Sequence, residues 1–275
     1  MARATEGPAP VKVLSAFIYP VKSMRAVATT TLELDDQGIV GDRRWMVIDA
    51  EKRFVTQRTV PALVRLQPEL IPGGVRLDDG ASQLSVEVPP LDATRHEVTV
   101  WRDTFPALDA GDEAAAWLST RLGFSCRFVA FASDVRREVD RNYAKDAQTT
   151  FTDAYPLLIV NEASLDALNA ELPAPIPMER FRPNLVVRAG APWVEDGWTR
   201  LEADGVPLDG VKPCARCVAI TTDQRTGERP QGPLPLSALT QLHSIPGRGA
   251  IFGMNLVHRA NGAIRVGAHV ALKMT

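Results

Sequence analysis

The sequence is organised around one short stretch, Pro213-Cys214-Ala215-Arg216-Cys217-Val218-Ala219-Ile220-Thr221-Thr222-Asp223. Two of the three cysteines in the chain, Cys214 and Cys217, lie three positions apart in it, with Arg216 between them. A thiolate is both a soft metal ligand and a nucleophile, and a neighbouring guanidinium favours the ionised form of a thiol. A second motif, Phe181-Arg182-Pro183-Asn184, precedes this stretch in the chain. We interpret the rest of the sequence as the scaffold that holds this sulfur and an anionic group beside it.

Length and composition indicate a soluble globular protein of two domains. At about 150 residues per domain, a chain of 275 residues is long enough for two domains with buried cores. Hydrophobic residues make up 45% of the chain and charged residues 23%, which is ordinary for globular proteins. Because the net charge is -2, the chain has no overall basic field. The sequence therefore predicts neither a nucleic-acid polymer nor a membrane as a partner.

The cysteine count and the N-terminal sequence indicate a reducing compartment. An odd number of cysteines, three in this chain, does not form a complete disulfide framework. The first ten residues contain no apolar stretch after Arg3, so they do not read as a signal peptide or an anchor. No apolar run approaches the ~18 residues that a membrane-spanning helix needs. We expect a cytoplasmic protein with reduced thiols.

Short β-type runs separated by proline, glycine and aspartate turns dominate the sequence. They are predicted at residues 11–19, 29–34, 45–48, 54–58, 75–77, 84–88, 97–101, 126–131, 156–160, 185–188, 198–201, 218–222, 253–258, 264–266 and 269–273. Helices are predicted at residues 112–122, 162–172 and 236–242, and the polar segment 133–150 is predicted to bridge two domains. Asn261-Gly262 is typical of a type I′ turn and predicts a hairpin between the runs at 253–258 and 264–266. This pattern predicts a mainly β fold with short helices, as in a barrel or a sandwich.

The two neighbouring cysteines leave several chemical interpretations open. Cys214 and Cys217 have the spacing of half a zinc site, but a structural zinc needs two more ligands and the four histidines are all solitary in the sequence. A thioredoxin-like redox pair belongs at the start of a helix, whereas a strand is predicted at residues 218–222. From the residues alone, one working thiolate and two buried bystander thiols remain equal alternatives.

Basic residues recur at predicted strand ends and loops: Lys22, Arg43, Arg58, Arg182 and Arg216. Arginines that converge on one point bind phosphate through bidentate forks and charge. The alternative is that these side chains are ordinary solvated charges or strand-end ion pairs. Asp153, just before a buried run, is either a turn-forming aspartate or a functional carboxylate.

Several motifs along the chain resemble those of one known family. In order they are Ile18-Tyr19-Pro20-Val21-Lys22-Ser23, Gly41-Asp42-Arg43-Arg44-Trp45, Val55-Thr56-Gln57-Arg58, Asn161-Glu162-Ala163-Ser164-Leu165, Phe181-Arg182-Pro183-Asn184, Glu195-Asp196-Gly197-Trp198, Cys214-Ala215-Arg216-Cys217 and Phe252-Gly253. In this order they resemble the family in which a MOSC domain follows a MOSC N-terminal β-barrel domain, including the mitochondrial amidoxime reducing component and its bacterial relatives. The resemblance implies a mainly β fold with an N-terminal β-barrel domain at 11–130, a MOSC β-barrel domain at 131–275 and a cofactor site between them.

The same resemblance implies a molybdenum cofactor and roles for particular residues. It assigns Cys217 as the protein's thiolate ligand to the metal, and Asp153 as a catalytic carboxylate near it. The residues that it assigns to binding the phosphorylated pterin are Lys22, Ser23, Arg43, Arg58, Arg182, Asn184 and Arg216. If this holds, the scattered basic residues converge on one site rather than facing solvent separately.

The family's reaction is the reduction of N-hydroxylated compounds to amines or amidines. Because the chain has no cysteines for a C-terminal iron–sulfur domain, we expect no iron–sulfur cluster in it and a separate electron donor of the ferredoxin or haem/flavin reductase type. The membrane-anchoring leader of mitochondrial members is not expected either. Two alternatives remain: a sulfur carrier, as at the MOSC end of cofactor sulfurases, and a cofactor carrier without N-reductive activity.

Overall fold

The computed structural model describes residues 11–273, and within them the protein is mainly β. Its α-helices are α1 (Asp112–Leu122), α2 (Glu162–Ala170) and α3 (Leu236–Leu242). The strands before α1 are β1 (Val11–Ile18), β2 (Val27–Thr29), β3 (Thr31–Asp35), β4 (Gly38–Ile39), β5 (Trp45–Ile48), β6 (Gln67–Ile71), β7 (Gly74–Asp78), β8 (Gln83–Glu87), β9 (Arg95–Val100) and β10 (Asp103–Asp109). Those after α1 are β11 (Arg127–Ala130), β12 (Leu157–Asn161), β13 (Leu185–Arg188), β14 (Arg200–Ala203), β15 (Val206–Ala215), β16 (Ser244–Ile245), β17 (Gly249–His258), β18 (Gly262–Arg265) and β19 (His269–Leu272). The predicted mainly β fold with short helices is confirmed.

Seven strands close into a β-barrel in the order β12-β13-β1-β19-β14-β15-β17, and β17 pairs with β12 to complete it. The closing pair is antiparallel, with Leu157 opposite Leu256. β1, the first described strand of the chain, lies between β13 and β19. Its pattern buries Val11 and Val13 against the barrel core and leaves Lys12 exposed between them, as expected for a strand with one face to solvent. The barrel therefore combines β1 with six strands from the second half of the chain.

A second hydrophobic core lies among residues 21–151 and is surrounded by the sheets β5-β11-β10-β9 and β6-β7-β8. Trp45 of β5 stacks on Phe128 of β11 with 5.0 Å between the ring centroids. Helix α1 adds Ala114 and Leu118 to this core and ends at Gly123, whose left-handed backbone (φ 80°) suits glycine. Burial of such apolar and aromatic surface is the dominant favourable term in folding. The residues that line the cavity described below are carried partly by the barrel and partly by the segments packed on the second core.

The predicted strand at residues 218–222 is wrong, because this segment is a 3-10 helix, Val218–Thr221. Its backbone closes i to i+3 hydrogen bonds, from Ile220 N to Cys217 O (3.2 Å) and from Thr222 N to Ala219 O (3.2 Å). Ile220 and Thr221 are buried while Val218 is exposed, so tertiary packing overrides the strand preference of β-branched residues. The sequence analysis argued against a thioredoxin-like redox pair because it predicted a strand at residues 218–222. The structure removes that argument.

The strand that carries the cysteine motif was not predicted. β15 contains Gly210 and Pro213, which read as turn residues in a sequence. The register of β15 against β17 shifts at both places, between Gly210 and Lys212 and between Pro213 and Ala215. Bulges of this kind admit glycine and proline into a strand and redirect the side chains that follow.

The predicted hairpin around Asn261-Gly262 is also wrong. β17 pairs with β15 and β12, whereas β18 pairs with β3, so the two strands belong to different sheets. A type I′ turn needs positive φ at both central residues, and neither Asn261 nor Gly262 has it. Asn261 instead donates from Nδ2 to Asp36 Oδ1 (2.8 Å), which ties this connection to the turn between β3 and β4.

The predicted strand at residues 54–58 is reduced to a single bridge between Ile48 and Phe54. After Val55, whose N–H donates to Val47 O (2.9 Å), the chain leaves the sheet in a turn. This departure carries residues 56–58 to the cavity instead of along the sheet.

Candidate active site

A cavity of about 370 Å³ lies between the β-barrel and the loops that belong to the core of residues 21–151. Nine residues singled out from the sequence all line it: Lys22, Ser23, Arg43, Arg58, Asp153, Arg182, Asn184, Arg216 and Cys217. They come from six separate segments, namely the loop after β1, the loop before β5, the turn after β5, the loop before β12, the segment before β13 and the end of β15. The fold thus brings the predicted residues together, and their individual chemical roles stay predictions.

The two cysteines of the central motif occupy different environments. Cys217 is exposed and precedes the 3-10 helix Val218–Thr221, where it lines the cavity. Cys214 is partly buried and packs against the apolar cluster that includes Phe181. The Arg216 guanidinium donates from Nη1 to Cys214 Sγ (3.0 Å) and from Nη2 to Phe181 O (2.5 Å). Arg216 therefore contacts the sulfur of Cys214, and the accessible sulfur is that of Cys217.

Lys22 and Asp153 form an ion pair at one side of the cavity. The Lys22 side chain is buried, and its Nζ donates to Asp153 Oδ1 (2.5 Å) and Phe151 O (2.7 Å). Desolvation lowers the pKa of Lys22 to about 8, against the opposing charge of Asp153. The Asp153 side chain is 63% exposed towards the open cavity. Desolvation by the surrounding protein raises the pKa of Asp153, but the charge and hydrogen bond of Lys22, together with Arg58 and Trp101, hold that pKa well below its usual range, so this carboxyl is ionised at neutral pH.

Asp42 is a second carboxylate at the site, which our sequence analysis did not single out as functional. It is buried, accepts from Arg43 Nη1 at Oδ2 (2.6 Å) and accepts from the Tyr19 N–H at Oδ1 (2.7 Å). Asn184 also donates to Asp42 from Nδ2 (3.3 Å) and accepts from Arg43 Nη1 at Oδ1 (3.2 Å). Since the Asn184 amide also bonds the backbone of Phe17, it is a positioning residue that orients Arg43. The sequence offered one indication that Asp42 belongs to the site, because Asp42 directly precedes Arg43.

The ring of Tyr19 supports two guanidinium groups. The guanidinium carbons of Arg43 and Arg182 each lie 4.2 Å from its centroid. Burial raises the pKa of Tyr19, so the phenol stays neutral, and its hydroxyl donates to Pro183 O (3.1 Å). Cations over an aromatic face are attracted to its negative quadrupole. Tyr19 therefore holds two like charges close together beside the cavity.

Three arginines at the cavity each keep one buried nitrogen without a hydrogen-bond partner among the described residues. These nitrogens are Nε of Arg180, Nη2 of Arg182 and Nε of Arg216. We call Arg180, Arg182 and Arg216 the open arginines. Burial, together with the charge of Arg43, lowers the pKa of Arg182 to about 10, and burial lowers that of Arg180. Arg180 was missed in the sequence, although it lies only two positions before Arg182.

The backbone around these cations is held in an unusual conformation. Ser23, Arg43 and Arg182 have φ values of 68°, 47° and 55°, in the left-handed region that residues other than glycine rarely adopt. Strain of this kind costs about 1–3 kcal/mol per residue and is concentrated at functional sites. Arg43 is fixed there by a hydrogen bond from its N–H to Tyr19 O (2.7 Å), and Arg182 by one to Glu179 O (3.1 Å).

Arg58 lies at the edge of the cavity beside two aromatic rings. Its guanidinium carbon is 4.4 Å from the Trp101 ring and 5.7 Å from the Phe54 ring. Its Nε donates to Thr56 Oγ1 (3.2 Å). Its charge is also one of those that lower the pKa of Asp153.

Between residues 11 and 273, no cluster of three or more histidine, cysteine or acidic side chains is arranged to hold a metal ion. No helix within these residues is long and apolar enough to cross a membrane.

The side chains at the cavity fit a phosphorylated, metal-carrying cofactor. The open arginines bring three guanidinium groups to the cavity, and guanidinium groups bind phosphate through their charge and their paired N–H donors. The accessible sulfur of Cys217 suits a soft metal, and the cavity volume is within the range of cofactor sites. Fold and site together define a β-barrel protein with a cavity lined by cationic side chains and by Cys214 and Cys217, of which Cys217 is the exposed one.

Comparison with known proteins identifies the family. The model of the MOSC N-terminal beta barrel domain matches residues 11–125, and that of the MOSC domain matches residues 146–271. Mitochondrial amidoxime-reducing component 1 of Mus musculus is 30% identical over 280 residues, which cover 94% of this chain and 82% of that protein. The chain belongs to the MOSC-domain family, with the N-terminal beta barrel domain preceding the MOSC domain. The resemblance seen in the sequence motifs is confirmed.

Other relatives differ in what they share with this chain. Mitochondrial amidoxime reducing component 2 of Rattus norvegicus is 29% identical, over 93% of this chain and 81% of that protein. The molybdenum cofactor sulfurase of Drosophila grimshawi is 31% identical over 242 residues, 85% of this chain but only 30% of the sulfurase. The chain therefore spans most of the length of the amidoxime-reducing relatives and about a third of the sulfurase.

Proposed function

We propose that this protein is a molybdenum-cofactor-dependent oxidoreductase that reduces N-hydroxylated compounds. Its electrons come from a separate electron-transfer protein of the ferredoxin or haem/flavin reductase type, and no iron–sulfur cluster belongs to this chain. We further propose that it acts in the cytoplasm. The extent of similarity to two amidoxime-reducing components, over 82% and 81% of their lengths, favours this activity over that of a sulfurase.

One observation carries the proposal. Cys217, which is exposed, and the guanidinium-bearing open arginines line the same cavity. A thiol alone would suit a sulfur carrier, and cations alone would suit any anion. A cofactor that joins a phosphate to a soft metal uses both at once.

The residues divide into holding and reacting groups. The open arginines, Lys22, Ser23 and Arg43 hold the pterin phosphate, and Arg58 lies at the edge of the cavity. Asn184 keeps Arg43 in place. Cys217 provides the thiolate ligand to the metal. When bound, the molybdenum cofactor supplies the two-electron chemistry that breaks an N–O bond.

Lys22 and Asp153 have complementary protonation states for handling the substrate. Asp153 is ionised at neutral pH, so it accepts an N–H or O–H of the substrate in the cavity rather than donating a proton. Lys22, with a pKa of about 8, is still protonated at pH 7 and lies 2.5 Å from Asp153. We assign Asp153 as the carboxylate that positions the substrate, and Lys22 as the cation that keeps this carboxylate ionised at the edge of the phosphate site.

The first experiment measures bound cofactor rather than activity. Wild type, Cys217→Ala and Cys214→Ala are purified from a host that makes the cofactor, and molybdenum and released pterin fluorescence are measured per chain. We expect near-stoichiometric metal and pterin in wild type and in Cys214→Ala. In Cys217→Ala we expect metal to be lost or its spectrum changed, while the cation cluster still retains pterin. Neither metal nor pterin in wild type would refute the proposal.

Activity is then measured on the loaded protein with benzamidoxime as substrate and reduced methyl viologen as donor. We expect formation of benzamidine by wild type and its loss in Cys217→Ala. Full cofactor loading without any N–O reduction would favour the second candidate, a cofactor carrier.

A sulfur carrier is the remaining candidate, and the match to a cofactor sulfurase supports it. In that role, Cys217 holds a sulfane sulfur in the cavity. Release of cyanide-reactive sulfur from purified wild type, absent from Cys217→Ala and with no bound pterin, would select this function.

A further inference from the structure

A group of arginines without ion-pair partners lies beside the cavity. They are Arg25, Arg58, Arg65, Arg225 and Arg229, which we call the basic face. Among residues 11–273 none of them forms an ion pair, although many other surface arginines do, such as Arg53 with Asp49 and Arg95 with Asp134. Because the chain carries a net charge of -2, this concentration is local.

Hydrogen bonds join the segments that carry the basic face into one surface. Arg65 donates from Nε to Thr226 O (2.9 Å), and Arg229 donates from Nη2 to Arg58 O (3.0 Å). The N–H of Arg25 reaches Leu66 O (3.5 Å), next to Arg65. The loop at residues 223–229 thereby packs on the segment at residues 58–66, from the other half of the chain.

The loop itself is rigid and turns its acidic group inwards. Asp223 accepts from the N–H groups of Arg225 and Thr226 (both 2.9 Å) and lies 3.7 Å from the buried Arg180. Gly227 has φ +79°, and a Cβ there would lie 2.9 Å from Pro61 O, so only glycine lets the loop approach this closely. Glu228 is exposed and offsets one of the five positive charges, so the face keeps an excess of positive charge.

The basic face adjoins the cavity. Arg58 lines both, and Gln224 in the loop accepts from Arg182 Nη1 (3.3 Å). The loop also follows Cys217 directly through the 3-10 helix Val218–Thr221, whose four residues span about 8 Å at ~2 Å per residue. A molecule docked on the face therefore lies close to the accessible thiol.

We propose that the basic face is the docking surface of the electron donor, and that this donor is a small protein with an acidic surface. Arg65, Arg225 and Arg229 are exposed, and Arg25 and Arg58 are half-buried. Unpaired cations around a site steer an oppositely charged protein and orient it as it approaches. The inference rests on the proposed function, since only a reductive site needs a donor to dock beside it. It identifies the charge of the donor's surface, which the proposed function leaves open.

The test reverses charge at two positions of the basic face whose side chains form no ion pair within residues 11–273. The side chains of Arg25 and Arg225 donate no hydrogen bond within the described residues, so Arg25→Glu/Arg225→Glu changes charge without removing a contact. The matched control, Lys12→Glu/Arg200→Glu, makes the same charge change on exposed positions of β1 and β14, outside the cavity. The probe is an acidic plant-type [2Fe–2S] ferredoxin, whose association with the holoenzyme is followed by stopped flow.

We expect wild type and the control variant to associate with ferredoxin alike. At low salt, the Arg25→Glu/Arg225→Glu variant should associate roughly tenfold more slowly, and the difference should shrink above ~0.5 M salt. Equal rates for all three proteins would overturn the proposal. So would tighter charge-dependent binding of single-stranded DNA or anionic phospholipid vesicles, measured in parallel.

A small-molecule electron donor, which needs no docking surface, allows this proposal to be tested separately from the proposed function. With reduced methyl viologen, all three proteins should reduce benzamidoxime within twofold of one another. If wild type shows no viologen-driven reduction, the proposed function fails, while charge-dependent binding of ferredoxin would still support the docking surface. If the variant loses viologen-driven activity as well, the charge reversal acts on the site itself and the docking proposal is overturned.

Discussion

The cations around the cavity are of two kinds, and the difference lies in their counter-charges. Lys22 and Arg43 each bind a carboxylate of the protein, Asp153 at 2.5 Å and Asp42 at 2.6 Å. The open arginines keep buried nitrogens with no partner in the described part of the chain. Among the open arginines, Arg180 lies 3.7 Å from Asp223, whereas Arg182 and Arg216 form no ion pair within the described residues. The charge of the first kind is balanced by the protein itself, whereas Arg182 and Arg216 leave positive charge for an anion in the cavity.

This difference links ligand binding to stability. A buried cation without a full set of acceptors costs free energy in the folded state. A ligand that supplies those acceptors binds the folded state and not the unfolded one, so it stabilises the fold by mass action. The carboxylate-paired cations should therefore matter for folding, and the open arginines for retention of the anion.

The largest expected effect is on folding, from removal of the buried carboxylate in Asp42→Ala. This change leaves Arg43 without its counter-charge and the N–H of Tyr19 without its acceptor. Breaking a buried ion pair of this kind costs about 3–5 kcal/mol. We expect the free energy of unfolding of the apo protein, from urea denaturation, to fall by this amount.

A neighbouring arginine provides the matched control. Arg44 pairs with Asp35 (2.8 Å), but the Asp35 side chain is 43% exposed. Exposed ion pairs contribute about 0–1 kcal/mol, so Asp35→Ala should change the free energy of unfolding by no more than this. If the two variants lose equal stability, the carboxylate-paired cations are not a separate class.

The second prediction concerns an open arginine, through Arg182→Ala. Removing this guanidinium ends its repulsion by Arg43 and removes a buried nitrogen that has no hydrogen-bond partner in the described residues. It also removes the hydrogen bond to Met24 O (2.6 Å). Because these effects oppose each other, the stability of the apo protein should change little. A hydrogen bond to a charged group contributes about 1.5–3 kcal/mol, so affinity for inorganic pyrophosphate should fall roughly ten- to a hundredfold. The measurement is the pyrophosphate-dependent rise in the melting temperature of the apo protein.

Two further variants interpret that result. Arg182→Lys keeps the charge without the planar fork, so it should restore binding only in part. Arg265→Ala, at an exposed position of β18, should leave the pyrophosphate effect unchanged. Wild-type affinity in Arg182→Ala would show that this arginine does not face the anion.

The positions of these cations were visible in the sequence, but their division into two kinds was not. Lys22, Arg43 and Arg182 lie in short motifs next to strand ends, and loops at strand ends bring side chains to one place. What could not be read was which cation has a partner. Asp153 is far from Lys22 along the chain. Only the folding of the loops places the Asp153 carboxylate within hydrogen-bond distance of the Lys22 ammonium.

The errors in predicted structure have one physical source. At Val218–Thr221 the β-branched residues suggested a strand, but burial of Ile220 and Thr221 selects a 3-10 helix. In β15 two bulges accommodate Gly210 and Pro213, so the composition of the strand imitates a turn. In each case a long-range contact overrides a local preference, which a single sequence does not display.

The smallest expected effect comes from the titration of Lys22, and it has opposite signs for binding and for folding. Its pKa is lowered to about 8 in the folded protein from 10.5, by desolvation. As pH rises from 7 to 9 the ammonium loses its charge, so affinity for pyrophosphate should fall by up to roughly tenfold. Over the window from about 8 to 10.5 the unfolded chain binds the proton more tightly, so the contribution of Lys22 to the free energy of unfolding becomes more favourable with rising pH.

The variant Lys22→Met separates these two trends from the titration of pyrophosphate itself. Isothermal titration calorimetry at several pH values gives the affinity, and urea denaturation over the same range gives the stability. The decline in binding and the rise in stability should both be absent from the variant. If wild type and Lys22→Met follow the same pH profile for binding, the Lys22 ammonium does not contact the anion, and the carboxylate-paired cations serve folding alone.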